Sequence, residues 1–220
     1  QLLRLEAVQE STKTASFTFK ELQQQPCTVY IRFPQQDAKA FGPLTALFFE
    51  SLFAYVLDNP KGPGEVPIWI AADEFASLPK IPLLLDFLAK AAGNGAHIGI
   101  VVQDFAQIEE TYGKTGLSTI LTNCTYTIAF QQNNAQTADM LSKLVGKKTR
   151  FKKTKSGTWL RPFAPSVTEA TEGVPVISPE DWGRIPFGKQ IVLVQGHLIY
   201  PVLAESPMYY KHRKYRKLAA

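Results

Sequence analysis

Two adjacent acids, Asp73 and Glu74, close an apolar run, Pro67-Ile68-Trp69-Ile70-Ala71-Ala72. An apolar segment that stops at Asp-Glu is how a parallel sheet brings carboxylates to the edge where nucleotides bind. In that setting the first acid can hold Mg²⁺ through water, and the second can orient or deprotonate an attacking water. The same pair also suits a helix start, where the dipole favours negative charge. A nucleotide site further needs a phosphate cradle, G-x-x-x-x-G-K-[ST], and the sequence contains none. Its nearest approach, Gly146-Lys147-Lys148-Thr149, has Leu141 at the first glycine position and Lys148 where Ser or Thr belongs. The residues present make up half of an NTPase site.

Gln103 ends a second apolar run, Ala96–Val102. An amide there can sense a γ-phosphate and report it to a subunit interface, or simply tie to backbone. Residues 147–161 interleave Phe151 and Trp159 with Lys147, Lys148, Arg150, Lys152, Lys153, Lys155 and Arg161, and contain no acid. A hairpin or loop that grips a nucleic-acid backbone has this composition, with cations on phosphates and aromatics for stacking; a solvated loop has it too. The tail from Tyr209 to Lys217 mixes tyrosines with cations, which suits an anionic membrane or substrate, or a frayed charged terminus. His97 and His197 lack a partner motif and read as structural.

The elements that must position these groups alternate. Cys27–Phe33 reads as a β-branched strand closed by Pro34, and Pro43–Leu57 as a helix whose apolar surface runs almost all the way round. After a turn at Lys61-Gly62-Pro63-Gly64 comes the acid-ended strand, then a helix over Ile81–Ala92 and the strand Ala96–Val102. Phe105–Tyr112 and Leu117–Leu121 read as helices, Tyr126–Phe130 as a strand, and Asn134–Val145 as a helix. Apolar strands separated by helices argue for an α/β fold with a mainly parallel sheet sandwiched by helices. Ile191–Val194 and Leu198–Val202, flanking Gln195-Gly196-His197, read as an antiparallel edge hairpin.

Composition bounds the rest. The 220 residues are 45% hydrophobic, enough for a real core. The net charge of +5 is unevenly spread: residues 147–161 and 211–217 hold 12 of the 24 basic residues, so the remainder, 12 against 19 acids, is net −7. A slightly acidic body with two basic appendages points to a polyanionic partner. Cys27 and Cys124 fall inside predicted strands and are expected to be buried free thiols, and no Cys/His cluster has metal-ligand spacing. No apolar run reaches the roughly 18 residues of a membrane span, and no signal peptide is visible, so a soluble chain is expected. Gln1, without a methionine, fits a fragment of something larger.

Several of these segments together resemble the conjugative coupling proteins of type IV secretion systems, the TraG/TraD family. Asp73-Glu74-Phe75-Ala76-Ser77-Leu78 resembles that family's Walker B segment. Ile100-Val101-Val102-Gln103 with Gln107-Ile108 and Tyr112-Gly113 resembles its next strand and helix. Leu121-Thr122-Asn123-Cys124, Gln136-Thr137-Ala138 and Leu144-Val145-Gly146 resemble the strand and helix after that. Thr28–Ile31 through Pro34, Tyr200-Pro201 and Tyr209-Tyr210 fit as well, so the resemblance covers roughly residues 16–212.

The resemblance implies a RecA-like P-loop NTPase in which this chain is the C-terminal half of the ATPase domain, the Walker A part lying upstream. It divides the chain into an upstream linker or helical remnant over 1–15, the half-domain over 16–210 with its basic loop at 147–161, and a basic tail over 211–220. It implies ATP and Mg²⁺ as cofactors, with Asp73 on the metal through water, Glu74 on the hydrolytic water and Gln103 coupling nucleotide state to a neighbour. DNA or a relaxase–DNA complex, other type IV secretion subunits and a self-assembled ring are the implied partners. The implied place is the cytoplasmic side of the bacterial inner membrane. One departure stands out: where the family commonly shows Arg-Gly-Tyr-Gly, this chain reads Ala92-Gly93-Asn94-Gly95, and nearby Lys90 does not reproduce a guanidinium fork. Two alternatives stay open. One is a non-hydrolysing docking or scaffold module derived from the ATPase, and the other is a cytosolic DNA-pumping ATPase.

Overall fold

The structure, a computed structural model, describes residues 9–10, 13–31, 38–156, 166–196 and 200–218. The chain forms two compact units, Gln1–Cys124 and Thr125–Ala220.

In the first unit, β1 (Ile68–Ala72) and β2 (Ala96–Ile100) pair in parallel, Ile68 opposite Ala96 and Ala72 opposite Ile100. A parallel pair needs a crossover, and α3 (Leu84–Lys90) lies in it. Ile68, Ile70 and Ala72 point into the core, while Trp69 and Ala71 stand exposed on the other face, the Trp69 ring 5.6 Å from His97. Against α3 packs α2 (Ala38–Asp58), whose Phe53 stacks on Phe87 of α3 at 4.0 Å. Phe53, Phe87, Val56, Ile81 and Leu84 are all fully buried. The far side of α2 is covered by Phe19, whose ring meets Phe48 and Tyr55 just before the short α1 (Glu21–Gln24).

α2 is longer than the sequence suggests. Proline suits a first helical turn, so Pro43 reads as the start, yet the helix begins at Ala38 and carries Pro43 inside it. As a result Ala40–Asp58 is, by length and composition, apolar enough to cross a membrane, contrary to the expectation that no run reaches that length. Gly42 is what lets α2 approach the loop after β1: a Cβ there would sit 3.0 Å from Pro79 Cγ.

Two further differences concern the first unit. Cys27–Ile31 carries no strand, and the end of that expected strand, Phe33, lies with Pro34 outside the described residues. β-branched residues favour strands by fitting a pleated, half-buried surface, and Tyr30 is 80% exposed. Cys27 is accordingly exposed rather than buried. α4 (Phe105–Asn123) is the two expected helices in succession, parted at Gly113, whose φ of 75° and ψ of 171° are not helical. Cys124 caps this helix instead of lying in a strand, and burial pushes its thiol up.

In the second unit, β3 (Tyr126–Ala129), β6 (Lys189–Val194) and β7 (Val202–Glu205) form an antiparallel sheet in the order β3-β6-β7. β3 thus finds an antiparallel partner, Ala129 opposite Ile191. The β6–β7 hairpin pairs Val192 with Val202, so its second strand starts later than expected; His197 and Leu198 lie outside the described residues. α5 (Ala135–Val145), capped by Asn134 accepting from the Thr137 N–H at 3.0 Å, leads into the hairpin β4 (Lys147–Ser156) and β5 (Ser166–Pro175). α6 (Pro179–Trp182) then buries Trp182 completely.

Candidate functional site

Asp73 and Glu74 sit at the carboxyl edge of the parallel pair, where open α/β sheets bind ligands. The backbone fixes them there. The Val101 N–H donates to the Ala72 carbonyl and the Phe75 N–H donates to the Val101 carbonyl, both at 3.0 Å. Asp73 and Glu74 therefore leave the ladder between two bonds to one residue, and both are exposed. Asp73 Oδ1 accepts the Glu74 N–H at 3.1 Å, which orients that carboxylate.

Glu74 adopts a left-handed conformation, φ 49° and ψ 44°, and is the one non-glycine residue with positive φ among the described residues. A side chain in that region is strained by about 1 kcal/mol and persists only where its surroundings impose it. Glu74 also occupies the N-cap position of the 3₁₀ turn Phe75–Ser77, but its side chain makes no capping bond. The capping role that the sequence left open is thus not what this carboxylate does.

The segment beyond the acids is anchored firmly. Phe75 is buried and its ring stacks on Tyr112 of α4 at 6.1 Å. The Tyr112 hydroxyl accepts the Ile81 N–H at 3.0 Å, and Glu50 of α2 accepts the Leu83 N–H at 3.2 Å. Burial pushes the Tyr112 phenol up, with the Glu50 charge adding to it and the Ile81 bond opposing it. Residues 75–83 are tied in this way to α4 and α2.

Gln103 lies three residues beyond β2 and is exposed at the same edge. Beside it Asp104 caps α4, accepting the Gln107 N–H at 3.1 Å. Sequence reasoning missed that role, although Asp104 with Gln107 three residues on is a recognisable capping-box spacing. Tyr112 was missed as an anchor, and no local pattern announces a hydroxyl that bonds a residue so far away. Ala92 stands at the opposite, amino end of β2, roughly 16 Å of strand away from Gln103. The turn it opens has its own structural work: Asn94 Nδ2 donates to the Val56 and Leu57 carbonyls that end α2, and Gly95, at φ 76°, leaves no room for a Cβ beside Lys61.

Two exposed carboxylates fit Mg²⁺ in one particular way. Among the described residues no group of three His, Cys, Asp or Glu side chains is arranged to hold a metal. Magnesium commonly takes one or two carboxylates and completes its shell with waters and phosphate oxygens, and hard oxygen donors at an open edge match that habit.

The basic run forms a ribbon of its own. β4 and β5 pair antiparallel from Lys147 opposite Pro175 to Ser156 opposite Ser166. The Val176 N–H closes its base on the Gly146 carbonyl at 3.0 Å. Strand alternation sets Lys148, Arg150 and Lys152 on one face and Lys147 with Phe151 on the other. The register also introduces acids invisible in the run itself: Glu172 lies opposite Arg150 and Glu169 opposite Lys153. Lys147, Lys148, Arg150, Phe151 and Lys152 are exposed, Phe151 at 72%. Trp159 and Arg161, like the side chains of Lys153 and Lys155, lie outside the described residues. The tail is helical where a frayed terminus was one expectation: a 3₁₀ turn at Tyr209–Lys211 leads into α7 (Arg213–Leu218).

Comparison with known proteins gives a consistent result. A family model described as type IV secretory system conjugative DNA transfer matches residues 1–220. The protein VirD4 of Rhizobium rhizogenes is 23% identical over 212 residues, covering 96% of this chain and 31% of its own length. The conjugal transfer protein TraG of Escherichia coli is 26% identical over 248 residues, covering all of this chain and 38% of its own. The chain thus spans about a third of the length of these relatives. Among solved structures, the plasmid coupling protein TrwB in complex with ADP and Mg²⁺ matches with a TM-score of 0.67 at 18% identity, covering 87% of this chain and 43% of that one. TrwB with a non-hydrolysable ATP analogue matches at 0.66 and 19%, covering 86% and 42%. At that identity the likeness establishes the fold alone, an α/β fold shared with the plasmid coupling protein TrwB.

Proposed function

Because the chain belongs to the type IV secretory system conjugative DNA transfer family, we propose that it is the Walker B half of an ATP-driven coupling-protein motor. Asp73 is the residue that would hold Mg²⁺ through water, and Glu74 the one that would orient and deprotonate the attacking water. Gln103, at the same edge, would read the γ-phosphate. With Mg²⁺ held at Asp73, the chemistry supplied would be neutralisation of phosphate charge. The chain itself supplies the placement: Val101 pins the backbone on both sides of the acid pair, so the two carboxylates are carried at the edge before a nucleotide arrives.

The observation that carries this reading is the strained left-handed backbone of Glu74 at the carboxyl edge of β1, where no capping bond accounts for it. The phosphate cradle is assigned to an upstream half of the protein. Six-fold assembly at the cytoplasmic side of the inner membrane is assigned to the whole protein too. The ribbon β4–β5 is assigned to the polyanionic cargo, DNA or a relaxase–DNA complex, with Lys147, Lys148, Arg150, Lys152, Lys153 and Lys155 on phosphates. ATP turnover by a protein that joins this chain to its upstream half, measured with and without DNA, tests the assignment.

One observation favours a second reading, a docking or scaffold module without hydrolysis. Ala92 replaces the arginine common in the family, at the edge of β2 away from Asp73 and Glu74. By the family resemblance, an arginine at that edge would reach a neighbour's nucleotide, so its loss would weaken turnover in a ring without touching the acids. The two readings separate by nucleotide: the module binds cargo with ATP turnover at background, and the motor does not.

A further inference from the structure

The segment after β7 carries a pattern that neither the nucleotide site nor the ribbon uses. Residues 206–220 contain five cations and no acid. The 3₁₀ turn Tyr209–Lys211 and α7 are exposed at every residue. Tyr209 and Tyr210 meet edge to face at 5.6 Å, and His212 meets Tyr215 at 5.7 Å, so the aromatic groups are held by one another rather than by a core. Helical spacing then sorts α7 by character. Arg213, Lys214, Arg216 and Lys217 fall within an arc of roughly 160°, and Tyr215 and Leu218 within a separate arc of about 60°.

We infer that residues 209–218 are a peripheral foot that lies on an anionic lipid surface. A basic helix with one apolar stripe rests in the interface, apolar side chains toward the acyl boundary and cations toward headgroup phosphates. Tyrosine is the residue type that sits at headgroup level, an apolar ring with a wet hydroxyl. Both halves of the pattern are used in this way. A nucleic acid would use the cations and stack on tyrosines, but Leu218, 77% exposed, would gain nothing from it. The inference stands on the tail alone and does not depend on the nucleotide reading.

The test uses the 220-residue chain in co-sedimentation with vesicles of phosphatidylcholine, alone or mixed with phosphatidylglycerol. Sedimentation with the mixed vesicles only is expected. The charge reversal Arg213→Glu, Arg216→Glu, Lys217→Glu should lower that partitioning about 100-fold, each cation near anionic lipid being worth about 5-fold. The pair Tyr215→Ser, Leu218→Ser should lower it too while leaving binding of a DNA duplex unchanged. Because every residue replaced is exposed, all variants should unfold at the wild-type temperature. Equal binding to both vesicle types, no binding to either, or vesicle binding unmoved by the serine pair would each overturn the inference. So would a tail whose reversal abolishes duplex binding and spares vesicle binding.

Discussion

The backbone N–H of Phe75 donates to the carbonyl of Val101 at 3.0 Å, rejoining a ladder that the chain left after Ala72. Asp73 and Glu74 occupy the gap, held out from the sheet edge by bonds on either side. Parallel pairing, a buried aromatic and a strained residue thus act together: Phe75 can return to Val101 because its ring has a stacking partner in Tyr112. The geometry of the acid pair is a consequence of packing beneath it.

That strain makes a prediction of opposite sign for stability and activity. Glu74→Gly should raise the denaturant midpoint, by up to about 1 kcal/mol of stability, because glycine adopts positive φ without penalty. Were the left-handed backbone not imposed by the fold, the added chain entropy of glycine would lower the midpoint instead. Activity in the assembled protein should fall with either Glu74→Gly or Glu74→Gln.

Tyr112 gives a pH dependence. Its phenol is raised from the ordinary value of about 10 by burial, so the folded state favours the protonated form. A raised folded value means the contribution is full below pH of about 10 and is lost as pH rises through the folded value. Tyr112→Phe should cost about 1–3 kcal/mol at neutral pH, since the buried Ile81 N–H loses its acceptor. It should also flatten the alkaline limb of a stability-versus-pH curve measured by urea unfolding. An alkaline limb as steep as the wild type's would show that another group controls it.

Trp182 is fully buried and its Nε1 has no partner among the described residues. Trp182→Phe removes that orphan donor along with some volume, so it should cost less than about 1.5 kcal/mol, whereas Trp182→Ala should cost about 3–5 kcal/mol. Equal losses for the two would mean that the indole N–H is satisfied in solution.

Much of the site was legible locally, because periodicity and chemistry coincide there. The strand ending at Asp73-Glu74, the glutamine after the next strand and the hairpin at Lys147 all announce themselves over a few residues. The features that escaped are non-local. Cys27–Ile31 has the composition of a strand, but composition does not supply a ladder partner. β3 reads like a member of a parallel sheet, yet its direction is set by β6, some sixty residues on. The acid-free run 147–161 gains Glu169 and Glu172 only through strand register. Pro43 misled differently: a preference for first turns does not exclude a helix that begins one turn earlier.

Those two acids matter for the ribbon. Lys152→Gln with Lys153→Gln should weaken duplex binding and reduce the slope of log affinity against log salt by about 1.8, or 0.9 for each phosphate contact. Glu172→Gln should strengthen binding, since it removes a negative charge from the position opposite Arg150. A slope unchanged by the lysine pair would remove the ribbon from the DNA interface.

The central claim is that Glu74 activates water for ATP hydrolysis at the β1 edge. The most direct measurement is the ATP turnover of the protein carrying its upstream half, wild type against Glu74→Gln, with nucleotide affinity measured alongside. The account predicts a loss of about 100-fold or more in turnover with affinity nearly unchanged, the signature of removing a general base while keeping shape. Equal turnover in the two proteins would contradict it.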